Sequence, residues 1–528
     1  MKKISLKNKK YTITEVYKIV SEEYKISLSP DLKKNIVKSR LFIDEKLNLT
    51  EPIYGINTGF GKLSQIKIDD LDINKLQENL LLSHAVGVGS NTPDAIVKII
   101  ILLKIISFTK CNSGISLEVV LLLIDFFNND CLPIIPSKGS VGASGDLAPL
   151  SHMSLALMGI GNMKYKNSII PAKKAIKKIG SKPIKLKAKE GLALINGTQF
   201  STAYGVFCLN KLHDLFKICD LTSSMTLEAL MGSKQPFLSY VNKVKPYKGQ
   251  LDTCKNIISI LKDSEIMDSH KNCSRVQDMY SLRCIPQVHG SARDLLYFSK
   301  KQINTEINSV SDNPLVFPEK NKIISAGQFH AEAVAHSLDI AAMAIASISN
   351  ISERRIFSLL KGDFGLPEFL VKNPGLNSGF MMLQVTAAAL ASENKHLSNP
   401  SSVDSIPTCS DQEDYVSMAP YSGRKLFESI NNLQVILAIE LLSACQAVDF
   451  RMGLKPSKVL NILSTGKFDA NIHLSIPNIS IVFSTKIFVL SIVQFGLNMP
   501  RPEILVTKFS QAAIFFIFCS QCSMYSLF

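Results

Sequence analysis

From Gln328 to Leu360 the chain runs without a glycine or a proline, and it carries the alanine-rich block Ile340-Ala341-Ala342-Met343-Ala344-Ile345-Ala346. A stretch of that length, free of the two residues that most disfavour helix, predicts one long helix. Its small side chains let neighbouring helices approach closely. Gly379 to Leu397 has the same character, with Ala387-Ala388-Ala389 near its middle. Between Leu426 and Leu441 apolar residues fall at Leu426, Ile430, Leu433, Leu437 and Leu441, a stripe at helical period. Ile96 to Phe108 is apolar but short and contains Lys98 and Lys104, which predicts a core helix rather than a membrane span. Strand signals are sparse and local, as at Ser168 to Ile170. The expected fold class is mainly α, built on a long central helical bundle.

Chain breakers collect elsewhere. Gly55, Gly59 and Gly61 loosen one loop and Gly139 to Gly145 another, while Pro286, Pro314 and Pro374 end segments. Reactive groups are therefore expected on loops held by a rigid helical frame. No internal repeat or long linker interrupts the chain.

The loop that says most is Gly139-Ser140-Val141-Gly142-Ala143-Ser144-Gly145-Asp146, which continues as Leu147-Ala148-Pro149-Leu150-Ser151-His152. Glycine lacks a Cβ and tolerates sharp backbone angles. The Gly145 amide nitrogen can therefore attack the Ala143 carbonyl. Loss of water closes an imidazolone ring, and loss of the Ser144 hydroxyl leaves an exocyclic methylidene. Gly139 and Gly142 suit the tight, crowded loop this needs. Asp146 follows directly and is expected to cap the next helix. Taken alone, a glycine-rich Ala-Ser-Gly string reads as an ordinary turn before a helix.

It does not stand alone. The chain also contains Tyr54-Gly55-Ile56-Asn57-Thr58-Gly59-Phe60-Gly61, Asn79-Leu80-Leu81-Leu82-Ser83-His84 and Glu190-Gly191-Leu192-Ala193-Leu194-Ile195-Asn196-Gly197-Thr198. Further along are Gln277-Asp278-Met279-Tyr280-Ser281-Leu282-Arg283-Cys284, Asp312-Asn313-Pro314-Leu315 and Gly327-Gln328-Phe329-His330. Asn377-Ser378-Gly379-Phe380-Met381 and Gln412-Glu413-Asp414-Tyr415-Val416-Ser417-Met418 complete the set. In this order, and over roughly residues 10 to 460, the chain resembles the aromatic amino acid ammonia-lyases, most of all their histidine-specific branch.

That resemblance implies an ammonia-lyase/fumarase-like fold with a loop-borne active site and a long-helix core from about residue 195. It implies that Ala143, Ser144 and Gly145 form 4-methylideneimidazole-5-one autocatalytically. Removing ammonia from an α-amino acid meets a poor leaving group and a barely acidic β-proton, and this electrophile would carry the hard step. It would take either the substrate amine or the imidazole ring. The resemblance also supplies three candidates for the base, Tyr54, Tyr280 and Glu413. A tyrosinate near neutrality would need a nearby positive charge or hydrogen-bond donors.

Arg283 suits the substrate carboxylate because guanidinium is a planar bidentate donor. Three residues from Tyr280, it would share one helix side with it. Asn196 and Gln277 match polar positions that hold substrate or ring, and Phe329 matches an aromatic wall. His84 stands where the family separates polar rings from phenyl, and Glu413 is the acid expected for histidine. A carboxylate accepts an imidazole N–H, which phenyl does not offer. The implied reaction is L-histidine to trans-urocanate and ammonia in a homotetramer. Tyrosine ammonia-lyase or aminomutase is the alternative. Three positions depart from the pattern: Gln328 replaces asparagine, Asp411 replaces asparagine and Tyr415 replaces histidine.

Composition excludes more than it assigns. The net charge of +15 invites a nucleic-acid reading, and ten lysines between Lys164 and Lys189 supply much of it. That stretch has one aromatic, Tyr165, and no arginine, so a solvated basic face is the better account. Eleven scattered cysteines and no apolar export segment after Met1 to Lys10 point to a cytoplasmic protein. Cys519 and Cys522 form a lone CxxC without a second pair. No metal-ligand spacing, phosphate loop or dinucleotide fingerprint is present, so neither metal, nucleotide, nucleic acid nor membrane is expected. The family pattern fades near Gly466. We therefore expect an ammonia-lyase domain at 1–465 and a divergent tail at 466–528, where Ile479 to Val493 is rich in β-branched residues and Ile514 to Phe518 is apolar. A frameshifted or replaced tail is the first reading and a peripheral membrane anchor a distant second, while for function an inactive member whose altered tail blocks assembly is a further alternative.

Overall fold

A computed structural model describes residues 2–47, 52–271, 275–451, 453–465, 473–476 and 479–482. The chain divides into two compact units. The first comprises Met1–Asn210, Phe298–Asp339 and Pro400–Leu426; the second comprises Lys211–Tyr297, Ile340–Asn399 and Phe427–Phe528. Their boundaries fall within the long helices Gln199–Ala229, Ile285–Glu306, Glu332–Leu360 and Ala419–Asp449, or at the Asn399–Pro400 junction.

The mainly α expectation holds. The glycine- and proline-free run forms the helix Glu332–Leu360, starting four residues later than the sequence break suggests because Gly327 to His330 closes a turn. Gly379 to Leu397 becomes Met381–Leu397, and the Leu426 stripe lies in Ala419–Asp449 with Leu426, Ile430, Leu433 and Leu437 buried. Glu332–Leu360 and Ala419–Asp449 are long and apolar enough to cross a membrane, but 72% and 56% of their most apolar windows are buried within the protein. That is the behaviour of core helices.

In the second unit, helical segments close on an apolar cluster that includes Leu221, Met225, Ile285, Ile356, Leu359, Ala387, Ile436 and Ile439. Polar pins set its register. Arg355 donates to Glu440 through Nε at 2.5 Å and Nη2 at 2.9 Å, and the Thr226 and Ser352 hydroxyls also donate to that carboxylate. Asp220 is paired with Arg293 and accepts from Asn256 Nδ2 at 2.7 Å. A buried charge needs such partners, since stripping its hydration otherwise costs several kcal/mol (roughly).

Small sheets decorate the first unit. Lys3–Leu6 pairs in parallel with Lys25–Leu28, and Cys131–Pro133, Asn162–Tyr165 and Ser168–Pro171 form an antiparallel three-stranded sheet. The local strand signal at Ser168 is realised there. Ile96 to Phe108 forms the buried helix Asp94–Phe108, lysines included. In the tail, His473–Ile476 pairs antiparallel with Ile479–Val482. The rest of the β-branched stretch, Ile514 to Phe518, Cys519 and Cys522 lie outside the described residues.

Candidate active site

The Gly139–Asp146 loop is held by two segments of the first unit, the turn at Gly197 and the Ser417–Met418 stretch. Gly142 adopts φ +71°, and a Cβ there would meet Ser417 Oγ at 2.4 Å. Gly145 adopts φ +82°, and a Cβ there would meet the Gly197 carbonyl oxygen at 2.4 Å. Any side chain at either position would collide, in a backbone region that side-chain-bearing residues avoid. The Asp146 N–H donates to Gly197 O at 2.7 Å, and Met418 N–H donates to Val141 O at 2.8 Å. Ser417 Oγ donates to Gly142 O at 3.2 Å.

Asp146 does not cap the helix that follows it, Leu147–Leu157. Its buried carboxylate accepts instead from Ser201 N at 2.9 Å and Ser201 Oγ at 2.8 Å, in the first turn of Gln199–Ala229. The cap is real but serves a helix distant in sequence, because the loop turns Asp146 inward toward those orphan N–H groups. Burial pushes its carboxyl up to about 6, against the pull of the Ser201 hydrogen bonds.

Ser144 is the meeting point. Its hydroxyl donates to Glu413 Oε1 at 2.6 Å, and its carbonyl accepts from Asn196 Nδ2 at 2.7 Å. Glu413 is held in turn by Thr408, whose hydroxyl donates to Oε2 at 2.8 Å and whose backbone forms an antiparallel bridge with that of Glu413. The intervening Cys409, Ser410 and Asp411 all take positive φ, which folds this hairpin tightly. Asn196 Oδ1 is buried without a hydrogen-bond partner, a spare acceptor at the heart of the site.

His84 ends the helix Ile73–His84 and is half-buried. Its Nδ1 lies 2.9 Å from Leu80 O. A carbonyl only accepts, so Nδ1 carries the proton and Nε2 is left with a free lone pair. Burial lowers the His84 pKa, with Leu80 and Glu413 opposing, and so favours that neutral form. Tyr54 lies in the turn after Ile53, edge-on to Phe60 with centroids 6.5 Å apart. Burial raises its phenol pKa, a hydrogen bond from the Gly61 backbone lowers it, and Glu413 adds to the rise.

Phe329 is half-buried in the Gly327–His330 turn. The neighbouring His330 stacks on Tyr415 at 5.9 Å between centroids, and its Nε2 approaches Tyr415 O at 3.3 Å. These two contacts tie the Phe329 turn to the segment just after Glu413.

Gln277, Tyr280 and Arg283 lie on the second unit. Tyr280–Arg283 is a single helical turn, and the Arg283 guanidinium sits 4.6 Å from the Tyr280 ring centroid, as their spacing predicts. Tyr280 is 71% exposed, Gln277 is exposed, and Arg283 Nε is buried without a hydrogen-bond partner.

Sequence reading missed Thr408 and Gly197. The first looks like one more polar loop residue. The second directly follows the asparagine that drew attention, and only the pairing of two distant glycines shows its use.

The aromatic amino acid lyase family model matches residues 11–466. This chain belongs to the aromatic amino acid lyases. A histidine ammonia-lyase from Enterobacter sp. (strain 638) is 52% identical over 409 residues, 77% of this chain and 81% of the relative. One from Photorhabdus laumondii is 48% identical over 462 residues, covering 87% and 90%. Among solved structures, a Trypanosoma cruzi histidine ammonia-lyase superposes with a TM-score of 0.81 at 34% identity, covering 96% of this chain and all of that one. A Pantoea agglomerans phenylalanine aminomutase gives a TM-score of 0.83 at 30% identity, covering 88% and 93%. The ammonia-lyase fold expected from the sequence is thus the one this family member adopts.

Proposed function

We propose that this protein eliminates ammonia from L-histidine to give trans-urocanate, using 4-methylideneimidazole-5-one formed from Ala143, Ser144 and Gly145. The observation that carries the substrate is the 2.6 Å hydrogen bond between Ser144 and Glu413, which sets a carboxylate beside the reactive tripeptide. A carboxylate can receive an imidazole N–H, and the neutral His84 offers a second acceptor at Nε2. The histidine ammonia-lyases at 45–52% identity support the same substrate. Tyrosine ammonia-lyase or aminomutase activity is the less favoured reading, because the relatives at 45–52% identity are histidine ammonia-lyases, although a phenol O–H could also reach Glu413.

The residues present fit the prosthetic group. Gly145 has the positive φ and missing Cβ that ring closure requires, and Asn196 already grips the Ser144 carbonyl. When formed, the group supplies an electrophile that no ordinary side chain provides. The chain's own residues do the rest. Asn196 orients the Ser144 carbonyl. Glu413, fixed by Thr408, stands ready to hold the imidazole or take the β-proton. Tyr54, with its phenol pushed up by burial, serves in this setting as a hydrogen-bond donor. Phe329 walls the site and keeps water from it.

In this reading the enzyme is a cytoplasmic homotetramer, and subunits share in building each site. Tyr280, Gln277 and Arg283 come to the tripeptide from a neighbouring subunit. The exposure of Tyr280 supports this, because its side chain is open to a partner, and so does the buried Arg283 Nε, a donor left without an acceptor. The eight described cysteines are all free thiols. The residues 466–528 are proposed as a replaced tail outside the chemistry.

Product analysis tests the proposal. The purified chain given L-histidine should release ammonia and urocanate in equal amounts, and L-tyrosine should react far more slowly. Histidine consumed without urocanate, or a preference for tyrosine, rejects it. Sizing beside the assay should place activity in the tetramer fraction.

A further inference from the structure

Lys104 is a buried charged group of the first unit that this scheme leaves unused. It belongs to the helix Asp94–Phe108, which is buried from Ile96 onward, and it is 1% exposed. Among the described residues it makes no ion pair. Its ammonium donates instead to the Asn196 carbonyl at 2.7 Å and to Gln199 Oε1 at 3.2 Å, with the Phe108 ring centroid 5.3 Å away. A buried ammonium without an anion in contact is costly. Burial lowers its pKa to about 7, with Lys189 acting the same way and Asp312 and Asp146 opposing. A hydrocarbon would fill this place in a largely apolar helix at less cost, so the two hydrogen bonds are what the lysine is kept for.

Both bonds lead to the reactive loop. The Asn196 backbone oxygen is held by Lys104, and the Asn196 side chain holds the Ser144 carbonyl. Gln199 lies on the other side of Gly197, whose carbonyl receives the Asp146 N–H and whose backbone Gly145 packs against. One ammonium thus clamps both flanks of the turn on which the tripeptide rests. We propose that Lys104 is a positioning residue for Ala143-Ser144-Gly145, acting through Asn196 and the Gly197 turn. It would hold the Ser144 carbonyl in register while the ring closes and during turnover. This rests on the proposed function and deepens it.

The test is mass spectrometry of the peptide spanning Ser137 to His152, alongside steady-state kinetics, in the full-length chain. The parent peptide should be short by two waters. A linear parent peptide would sink the proposed function itself, whatever Lys104 does. With a closed parent, Lys104→Met should lower the closed fraction or kcat by roughly ten- to hundredfold, the scale of a lost charged hydrogen bond. KM for L-histidine should stay within about twofold, since Lys104 does not touch substrate. Lys104→Arg should restore most of the loss. A Lys104→Met chain that closes fully and turns over at the parent rate overturns the inference, as does an arginine variant no better than methionine. Should circular dichroism show Lys104→Met unfolded, Lys104→Gln, which keeps a donor and drops the charge, is judged by the same closure and kcat readings.

Discussion

Glu440 and Glu413 belong to different units, and each accepts hydrogen bonds from two hydroxyls. Thr226 and Ser352 serve Glu440, while Ser144 and Thr408 serve Glu413. There the likeness stops. Glu440 is wholly buried and is neutralised by a bidentate Arg355, itself wholly buried. Glu413 is half-buried and, among the described residues, has no lysine or arginine in ion-pair contact. A neutralised carboxylate is a fixed part of the scaffold. One held only by hydroxyls keeps its charge for whatever enters, and one of those hydroxyls belongs to the very serine that the chemistry consumes. The difference separates a pin from a tool.

Replacing the consumed serine cuts deepest. Ser144→Ala should lower kcat by on the order of 10³-fold or more, with the peptide left linear and the fold intact. A variant of parental activity would contradict the mechanism. The two carboxylates should then respond in opposite ways. Glu413→Gln should lower kcat/KM for L-histidine by roughly 10²- to 10³-fold with little change in denaturant midpoint. Glu440→Gln should cost roughly 3–5 kcal/mol of stability by stranding the Arg355 charge, while the folded fraction keeps its kcat. If both variants lose activity alike, or both lose stability alike, the contrast drawn between them is broken.

A finer cut removes only the clamp. Thr408→Val deletes the hydroxyl on Glu413 Oε2 and should lower kcat/KM by about tenfold, with ring closure unaffected. The smallest effect is a pH response. Burial depresses the His84 pKa below its ordinary 6.5, so His84 is neutral at pH 7 and gains a proton only as pH falls through that lowered value. Protonation removes the Nε2 lone pair, so KM for L-histidine should rise severalfold in that acid range. It should stay flat above pH 7. A His84→Gln variant, which cannot titrate, should lose the acid limb.

Much of the site was readable because its chemistry demands particular residues close in sequence. Ala143-Ser144-Gly145 must be contiguous for a ring to close, and the Tyr280–Arg283 spacing fits one helical turn. Asp146 shows the opposite case. Its position before a helix suggests a local cap, but Ser201 takes the carboxylate because the loop turns it inward. Thr408 and Lys104 were just as hidden. The first is an unremarkable polar residue until the hairpin sets it on Glu413, and the second reads as an odd charge in a core helix until it meets Asn196.

The amino-acid order by itself determined the helical fold, through long runs without helix breakers, and the tripeptide able to cyclise, through adjacency of three small residues. Tertiary structure alone decided which carboxylate is neutralised, which helix Asp146 caps and what Lys104 holds. The reason is physical: covalent neighbours are dictated by sequence, whereas a charge is satisfied by whichever groups the fold brings within hydrogen-bond reach.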